Sequence, residues 1–253
     1  MTADSDKKVL ILVVAYKAET TIKAVLSRIP ARELPRNTEI LVIDDSSDDA
    51  TFKKASESSD ALQGLKLTVL FNPVNQGYGG NQKIGYQYAI EHGFDVVALL
   101  HGDGQYAPER LPALIKPVLD GKADACFGSR LMEKGQALEG GMPLYKLAGN
   151  RILTACQNAM LGTKLSEFHS GYRVYSVNAL SQLPFRYNTN DFHFDTEIII
   201  QFVMHNFRIL ELPIPTYYGD EICRVNGMAY AAHVLATTLA SRVHLTGILY
   251  RKR

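Results

Sequence analysis

Short runs of branched apolar residues recur along the first half of the chain and are typical of strands buried on both faces of a sheet. They occupy residues 9–15, 40–43, 67–71, 96–100 and 123–128. Segments with the apolar spacing of helices lie between them, at 20–29, 81–92 and 108–119. Because strands alternate with helices through residue 130, the pattern predicts an α/β fold with a mostly parallel, doubly wound sheet and flanking helices.

The pattern changes after residue 130, where a glycine-bearing loop covers 133–141. Residues 144–161 form an amphipathic helix, and its predicted apolar face consists of Leu147, Ala148, Ile152, Ala155 and Ala159. The remaining predicted elements are a turn into a strand at 167–175, a helix from 191 to about 206, a strand at 209–215 and a C-terminal helix at about 228–250. The strand at 209–215 should lie at an edge, because its two prolines cannot donate to a ladder. We expect one domain over residues 1–253.

Composition narrows the class of protein. Hydrophobic residues make up 46% of the chain and charged residues 21%, with a net charge of +1, as in ordinary globular proteins. This charge gives no reason to expect a nucleic-acid partner. The three cysteines, Cys126, Cys156 and Cys223, lack metal-ligand spacing and are expected to be reduced core thiols of a cytoplasmic protein. The N-terminus has no signal-peptide core, and no apolar run is long enough to span a membrane.

A candidate site follows the run at 96–100, which stops abruptly on His101, Gly102, Asp103, Gly104 and Gln105. Open α/β sheets bind ligands just beyond the carboxyl ends of their strands. The Asp103 carboxylate offers a hard oxygen ligand suited to Mg²⁺ or Mn²⁺, and the flanking glycines allow close backbone approach. The alternative is a tight turn with a solvated carboxylate.

Two further candidates follow the second and third predicted strands. Asp44 and Asp45 end the run at 40–43, where they could hold the base and ribose of a nucleotide; the alternative is an ordinary acidic helix N-terminus. Gly77, Gly79 and Gly80 precede the helix at 81–92, and free N–H groups at such a position favour a phosphate. They follow the third strand and not the first, so a Rossmann dinucleotide fingerprint is not expected.

Five blocks carry a resemblance to a known family over about residues 8–225. They are Val14–Glu19, Asp44–Asp48, the turn with Asp103, Gly128–Arg130 and Ser170–Arg173. In this order they resemble signatures of the family 2 inverting glycosyltransferases of the GT-A fold, in particular the dolichyl-phosphate mannose synthase, or polyprenyl-phosphate glycosyltransferase, branch. The resemblance implies a nucleotide-binding part at about 8–130 and an acceptor-side part at about 131–225.

The resemblance also implies roles for individual residues. The nucleotide would be held by Ala15, Tyr16, Glu19 and Asp45, with Asp44 close by. Asp103 would be the second carboxylate of the family's Asp-x-Asp motif and bind a divalent cation, Mn²⁺ or Mg²⁺, with Gln105 at the position of the family's following Gln. Arg130 and Arg224 are candidates for stabilising the charge of the leaving diphosphate. The alternative for either arginine is a surface salt bridge.

Three positions depart from the family pattern. His101 replaces the first aspartate of Asp-x-Asp. An imidazole can ligate Mn²⁺ but suits Mg²⁺ poorly, so we favour a role in orienting Asp103 or the phosphate over direct ligation. Lys17 stands in place of an Asn and adds charge near the nucleotide, and Glu167 stands where an Asp is usual.

The acceptor side offers Asp195, Glu197 and Glu167 as a base or as groups that order the acceptor. For each, a helix N-terminal position or a structural hydrogen bond is an equal alternative. A lipid phosphate acceptor is already an anion and needs no strong base. His169 and His193 are assigned no more than the capping of local turns.

The sequence therefore predicts a metal-assisted inverting glycosyltransferase that moves a sugar from a UDP- or GDP-sugar to polyprenyl phosphate or a lipid-linked glycan. The alternatives are transfer to a non-lipid polysaccharide or protein glycan, and a non-catalytic nucleotide-sugar binding module. The helix at 144–161 and the basic residues 251–253 could make peripheral contact with the inner face of the membrane. Packing on the protein's own core is the favoured alternative for both. The oligomeric state is not predicted.

Overall fold

The computed structural model describes residues 6–217 and 226–242 of the 253-residue chain. Within these residues the strands are β1 (Val9–Ala15), β2 (Thr38–Asp44), β3 (Lys66–Phe71), β4 (Val96–His101), β5 (Ala125–Ser129), β6 (Arg173–Ser176) and β7 (Ile209–Pro213). The α-helices are α1 (Ile22–Ser27), α2 (Thr51–Ser56), α3 (Tyr78–Glu91), α4 (Leu111–Leu119), α5 (Gln136–Glu139), α6 (Leu144–Leu161), α7 (Val177–Ser181), α8 (Phe194–Met204) and α9 (Gly227–Arg242).

These strands form one sheet in the order β3-β2-β1-β4-β6-β5-β7. β1 pairs in parallel with β2 and β4, β2 pairs in parallel with β3, and β5 pairs in parallel with β7. β6 is antiparallel to both of its neighbours, so the other described strands all run in one direction. The predicted α/β class and mostly parallel sheet with flanking helices are confirmed. β7 lies at the edge, as its prolines predicted.

The strand order reverses between β1 and β4. The chain winds outward from β1 through β2 and β3 and then crosses to the other side of β1. Ligands of open α/β sheets bind in the crevice at such a switch point, outside the carboxyl ends of the strands. Val14 of β1 lies opposite His101 of β4, so the segments that follow the two strands start side by side.

Two hydrophobic cores cover the two faces of the sheet. Successive side chains of a strand point to opposite faces of the sheet. On one face, Val9, Ile11 and Val13 pack with α1 and α4, and on the other, Leu10 and Leu12 pack with α3 and α8. Helices cover both faces, which is why the parallel strands are nearly continuous apolar runs in the sequence.

Several helix boundaries differ from the predicted ones. α3 begins at Tyr78, three residues before the predicted start at 81. α8 spans Phe194–Met204 and is shorter at both ends than 191–206. The side chain of Thr21, at the N-terminus of α1, makes no capping bond to that helix; its hydroxyl donates to the Gly102 carbonyl at 2.7 Å. The N-terminal end of α1 is thereby fastened to the turn after β4.

α6 has the predicted bounds, but the predicted apolar face is wrong. Only Leu147 of that face is buried, together with Thr154 and Gln157. Ile152 is 64% exposed, and Ala148, Ala155 and Ala159 are exposed too. The helix therefore turns small and polar side chains towards the protein, so the prediction that its apolar side packs on the core does not hold.

Two other predictions concern the ends of the chain and the cysteines. Cys126 is buried as expected, whereas Cys156 is exposed on α6 and Cys223 lies outside the described residues. Of the predicted C-terminal helix at 228–250, the described part ends at Arg242, and residues 251–253 lie beyond it. No helix among the described residues combines the length and the hydropathy needed to cross a bilayer.

Candidate functional site

The turn after β1 exposes an aromatic ring beside the switch point. Tyr16 is 40% exposed, whereas Ala15 is buried. Lys17 follows with a φ of 51°, in the left-handed region that Asn adopts more readily than Lys. This conformation suits the Asn of the resembled signature. The Lys17 N–H donates to Ser47 Oγ at 2.8 Å, which ties the turn to the segment after β2.

Two acidic residues brace the segment after β2. Asp44 is buried, and its Oδ1 accepts hydrogen bonds from the Ser47 N–H and hydroxyl at 3.1 and 2.5 Å. Burial raises the pKa of Asp44, although the bonds from Ser47 oppose this effect. The Glu19 carboxylate accepts from the Ala50 N–H at 3.3 Å and lies 3.8 Å from Lys54 Nζ. Both side chains position the backbone that leads into α2.

Asp45 organises the loop that follows β3. Its carboxylate is buried and accepts from Asn72 Nδ2 and the Gln76 N–H, both at 2.8 Å, and from the Gly77 N–H at 3.0 Å. The Asn75 side chain donates to the Asp45 carbonyl at 2.8 Å. A carboxylate that accepts several bonds from one loop fixes the conformation of that loop. Direct contact of Asp45 with a nucleotide stays a prediction.

The structure corrects the predicted phosphate site in the glycine-rich turn. The N–H groups of Gly79 and Gly80 donate to the Asn190 carbonyl, at 2.7 and 3.4 Å, so they are not available to an anion. The Gly77 N–H is used by Asp45, as described above. A Cβ on Gly79 would come within 2.6 Å of the Phe194 side chain. These glycines allow the start of α3 to pack closely against Asn190 and, at Gly79, against the start of α8.

The turn after β4 leaves a carboxylate at the surface. Asp103 is exposed, and its Oδ1 accepts from the Gln105 N–H at 2.9 Å. Gly104 has a φ of 81°, which a side chain would strain. The Gly102 N–H donates to the Val14 carbonyl at 2.9 Å, so the turn is anchored to β1 as well as to Thr21. A rigid turn thus presents one exposed carboxylate at the switch point.

His101 is packed beneath this turn. Its Nε2 lies 3.3 Å from the Tyr78 hydroxyl, and its ring meets the Tyr106 ring edge-on, with centroids 5.1 Å apart. A Cβ on Gly171 would come within 2.7 Å of the imidazole, so only Gly fits there. Burial lowers the pKa of His101, against the opposing effect of Asp103. The contacts of Nε2 with Tyr78 and of the ring with Tyr106 agree better with the positioning role than with metal ligation.

Arg130 and Glu167 form a buried pair. Arg130 Nε and Nη2 donate to Glu167 Oε1, and the Arg130 N–H donates to Oε2 at 2.7 Å. Asn150 Nδ2 donates to Oε1 at 2.7 Å. Burial raises the pKa of Glu167, but the charge and bonds of Arg130 outweigh it and the net pKa is lowered. Glu167 is therefore an ionised structural partner and not the base that was considered, and the Arg130 salt bridge lies inside the protein and not at its surface.

Asp195 is the centre of a second buried network. Its Oδ2 accepts from the Tyr78 hydroxyl at 2.9 Å and lies 3.7 Å from Arg173 Nη2. Arg173 Nη1 donates to the Asp195 carbonyl at 3.1 Å. Among the described residues Asp195 Oδ1 has no hydrogen-bond partner. Burial raises the pKa of Tyr78 well above its usual value, so Tyr78 is a neutral donor. The network leaves one carboxylate oxygen for a further contact.

The other acceptor-side candidate takes a structural role. Glu197 is buried, and its Oε2 accepts from the Thr189 N–H at 2.7 Å. Burial raises the pKa of Glu197. This carboxylate closes the loop before α8, as the structural alternative predicted. Arg224 lies outside the described residues.

Several residues at the site were not assigned a role from the sequence. They are Asn72, Tyr78, Tyr106 and Arg173. Tyr78 lies within the glycine-rich turn, and Arg173 lies within one of the five blocks that carry the family resemblance. The sequence therefore marks both positions without assigning them a role. The sequence does not show that Tyr78 and Arg173 both contact Asp195, because this contact joins segments that are far apart along the chain.

Comparison with known proteins places this geometry in context. The model of the family "Glycosyl transferase family 2" matches residues 10–183. A UDP-N-acetylglucosamine--dolichyl-phosphate N-acetylglucosaminyltransferase of Methanococcus voltae is 27% identical over 226 residues, covering 85% of this chain and 88% of that protein. An undecaprenyl-phosphate mannosyltransferase of Micrococcus luteus is 26% identical over 208 residues, 82% of either chain.

A solved structure supports the fold. Glucosyl-3-phosphoglycerate synthase of Mycobacterium tuberculosis, in complex with Mg²⁺ and UDP, superposes with a TM-score of 0.69 at 20% identity and covers 95% of this chain and 80% of that one. At this identity the likeness establishes the fold alone. The predicted GT-A fold is confirmed.

Proposed function

The chain belongs to glycosyl transferase family 2, and from this premise we propose that it transfers a sugar from a nucleotide-diphosphate donor to polyprenyl phosphate. It is an enzyme of the glycosyltransferase class. The observation that carries the proposal is the exposed Asp103 carboxylate, held on a rigid turn at the switch point beside Tyr16. This is the edge of the sheet at which α/β folds bind nucleotides.

The donor side fits a divalent cation whose coordination is completed by the substrate. Asp103 provides one exposed carboxylate, and Gln105 lies next to it. Mg²⁺ and Mn²⁺ sites commonly combine one or two carboxylates with substrate phosphates and water. A bound cation would neutralise charge that develops on the leaving diphosphate. Asp103 and Gln105 would hold it, while His101 keeps the turn in place from below.

The acceptor side supports a phosphate anion as the nucleophile. Glu167 is paired with Arg130, and Glu197 accepts a backbone hydrogen bond, so neither is placed to remove a proton. Asp195 has an unengaged oxygen, but Tyr78 and Arg173 already stabilise its charge. We assign to Asp195 the ordering of the acceptor. The relatives named for dolichyl and undecaprenyl phosphate support a lipid acceptor.

We further propose peripheral contact with the membrane through the exposed side of α6. Leu144, Tyr145 and Ile152 are 72%, 74% and 64% exposed on this helix. Burial of such side chains in the interface of a bilayer would be favourable, because each removes apolar area from water. The Arg151 and Lys146 side chains of the same helix could reach anionic head groups.

Calorimetric titration of UDP and GDP, each with Mn²⁺, Mg²⁺ or chelator, tests the donor site. One nucleotide should bind only with metal, and Asp103→Asn should abolish that binding. The matched control is Asp95→Asn, since Asp95 is also exposed and lies before the opposite end of β4, where its Oδ2 accepts from the Lys8 N–H. Equal affinity of wild type and Asp103→Asn with metal present would refute the metal assignment.

The acceptor and the membrane contact need separate measurements. Transfer of labelled sugar from the donor to polyprenyl phosphate in vesicles should exceed transfer to soluble phosphorylated or glycan acceptors. Co-sedimentation with anionic vesicles should fall in Ile152→Glu but not in Val74→Glu, whose side chain is equally exposed, at 65%, on the loop after β3. Preferred transfer to a soluble acceptor would remove the lipid from the proposal and leave the donor site standing.

A further inference from the structure

A cluster of potential metal ligands lies apart from the donor turn. Asp191 and His193 belong to the segment before α8, and His233 belongs to α9. One ligand atom of each lies within 4.8 Å of the others, and the two imidazole rings have centroids 4.9 Å apart. Among the described residues, no second group of three His, Cys, Asp or Glu side chains has this spacing.

We propose that Asp191, His193 and His233 form a binding site for a late first-row divalent cation of the Zn²⁺ type. Imidazole nitrogen suits Zn²⁺, Co²⁺ and Ni²⁺, whereas Mg²⁺ prefers oxygen. Two histidines and one carboxylate are a known ligand set for zinc with a fourth position open. The site is therefore distinct in chemistry from the oxygen ligands of the donor turn.

The spacing requires only small side-chain adjustment. Zn–N bonds of about 2.0–2.1 Å place tetrahedral ligand atoms about 3.3 Å apart. The observed limit of 4.8 Å exceeds this value by about 1.5 Å, a distance that side-chain rotation covers. Asp191 and His233 are exposed and His193 is half-buried, so at least two of the three side chains can turn without disturbing a core.

The backbone that carries these ligands is already positioned. Tyr230 lies one helical turn before His233 on α9, and its hydroxyl contacts His169 Nδ1 at 2.9 Å. The helix α9 also packs against α8. Phe192, between the other two ligands, stacks on Tyr78 with ring centroids 5.2 Å apart. Tyr78 in turn donates to Asp195. A cation at this site would therefore clamp α9 to the segment that supports the acceptor-side network.

Co²⁺ titration of the chelator-treated full-length protein, without nucleotide, tests the proposal. Co²⁺ bound to nitrogen should give visible d–d absorption that Zn²⁺ displaces. His233→Ala and His193→Ala should each weaken binding at least about tenfold, since even an outer-sphere partner contributes that much. Asp191→Asn should reduce affinity in the same direction.

Two control variants separate this site from other possibilities. His92→Ala removes an exposed imidazole that stacks on Tyr88 outside the cluster and should leave the absorption unchanged. Asp103→Asn should also leave it unchanged, so the outcome does not depend on the donor site. Absence of nitrogen-ligated Co²⁺ in the wild type, or its persistence in both histidine variants, would overturn the proposal.

Discussion

The two sides of the switch point differ in whether their charged side chains are exposed or buried. On the proposed donor side, formed by the segments that follow β1, β2 and β4, the Asp103 carboxylate and the Tyr16 ring are exposed. On the proposed acceptor side, formed by the segments around Arg130 and Arg173, two buried arginines each lie beside a buried carboxylate. The donor side therefore has a charge ready to bind a ligand, whereas most acceptor-side charge is used within the protein.

The difference follows from the cost of burying charge. An ionised group removed from water needs a partner and hydrogen bonds, or it destabilises the fold. Glu167 has them from Arg130 and Asn150. An exposed carboxylate needs no such partner, and it can therefore exchange water for a metal and a substrate. An acidic residue near an active site is thus a stronger candidate for chemistry when it is exposed or has an unengaged oxygen, as in Asp195.

The largest expected effect comes from breaking the acceptor-side pair. Arg130→Met leaves the Glu167 carboxylate buried without its main partner, and should lower the free energy of unfolding by about 3–5 kcal/mol. The double variant with Glu167→Leu should recover only part of this loss, because Asn150 and the Arg130 N–H would lose their acceptor. Urea denaturation measures both.

Asp103→Asn is the donor-side counterpart for this comparison. Its side chain is exposed, so the free energy of unfolding should change by less than about 0.5 kcal/mol. A similar loss of stability in Arg130→Met and Asp103→Asn would show that the two sides do not differ in the way described.

Asp45 lies on the donor side, but like the acceptor-side carboxylates it is buried and accepts several hydrogen bonds. Its removal is expected to have the next largest effect on stability. Asp45→Ala deprives the loop at 72–77 of its acceptor and should cost about 2 kcal/mol of unfolding free energy. Nucleotide binding in the presence of metal should weaken as well, because the loop is loosened. Urea denaturation and calorimetry, with the exposed Asp48→Ala as control, check both effects; unchanged stability would mean that the loop does not depend on Asp45.

Strand-end positions were predictable from the sequence, whereas contacts across the sheet were not. The apolar runs ending near Ala15, Asp44 and His101 fix the carboxyl edge, because parallel buried strands have a clear pattern. The use of the Gly79 N–H by the Asn190 carbonyl joins residues more than a hundred positions apart. Local patterns carry no record of such a contact.

The same limit explains the error on α6. An apolar stripe in a helix predicts burial only if the protein supplies a matching surface. Here Thr154 and Gln157 face the protein, and Ile152 is exposed. Amphipathicity identified the helix correctly, but periodicity does not show which partner covers its apolar side.

The acceptor side should also respond to pH through His169. Burial lowers the pKa of His169 to about 4, against about 6.5 in the unfolded chain. Between these values the unfolded state binds more protons, so the free energy of unfolding rises with pH. Stability should fall by up to about 2 kcal/mol between pH 7.5 and 5 on this account, at 1.36 kcal/mol per unit below 6.5.

Comparison with His169→Gln isolates this contribution. His101 and His193 also have lowered pKa values and act in the same direction, so the wild type alone cannot assign the effect. The difference in unfolding free energy between wild type and His169→Gln should shrink as the pH falls from 7.5 to 5. A constant difference would contradict the burial of a neutral imidazole.

Lys17, on the donor side, is expected to have small effects on both stability and nucleotide affinity. Lys17→Asn places a residue that tolerates the left-handed backbone conformation better, which stabilises the fold. It also removes an exposed ion pair with Asp48, which destabilises the fold, so the two contributions to stability oppose each other. The net change in stability should be below about 1 kcal/mol. Affinity for a nucleoside diphosphate should fall by up to about fivefold, as expected for an exposed charge interaction of at most about 1 kcal/mol. Because exposed charges are screened by salt, this loss should diminish at high ionic strength, whereas the cost of Arg130→Met should not. Calorimetry and denaturation at low and high salt would therefore separate the exposed electrostatics of the donor side from the buried electrostatics of the acceptor side, and equal salt dependence of the two variants would contradict the distinction.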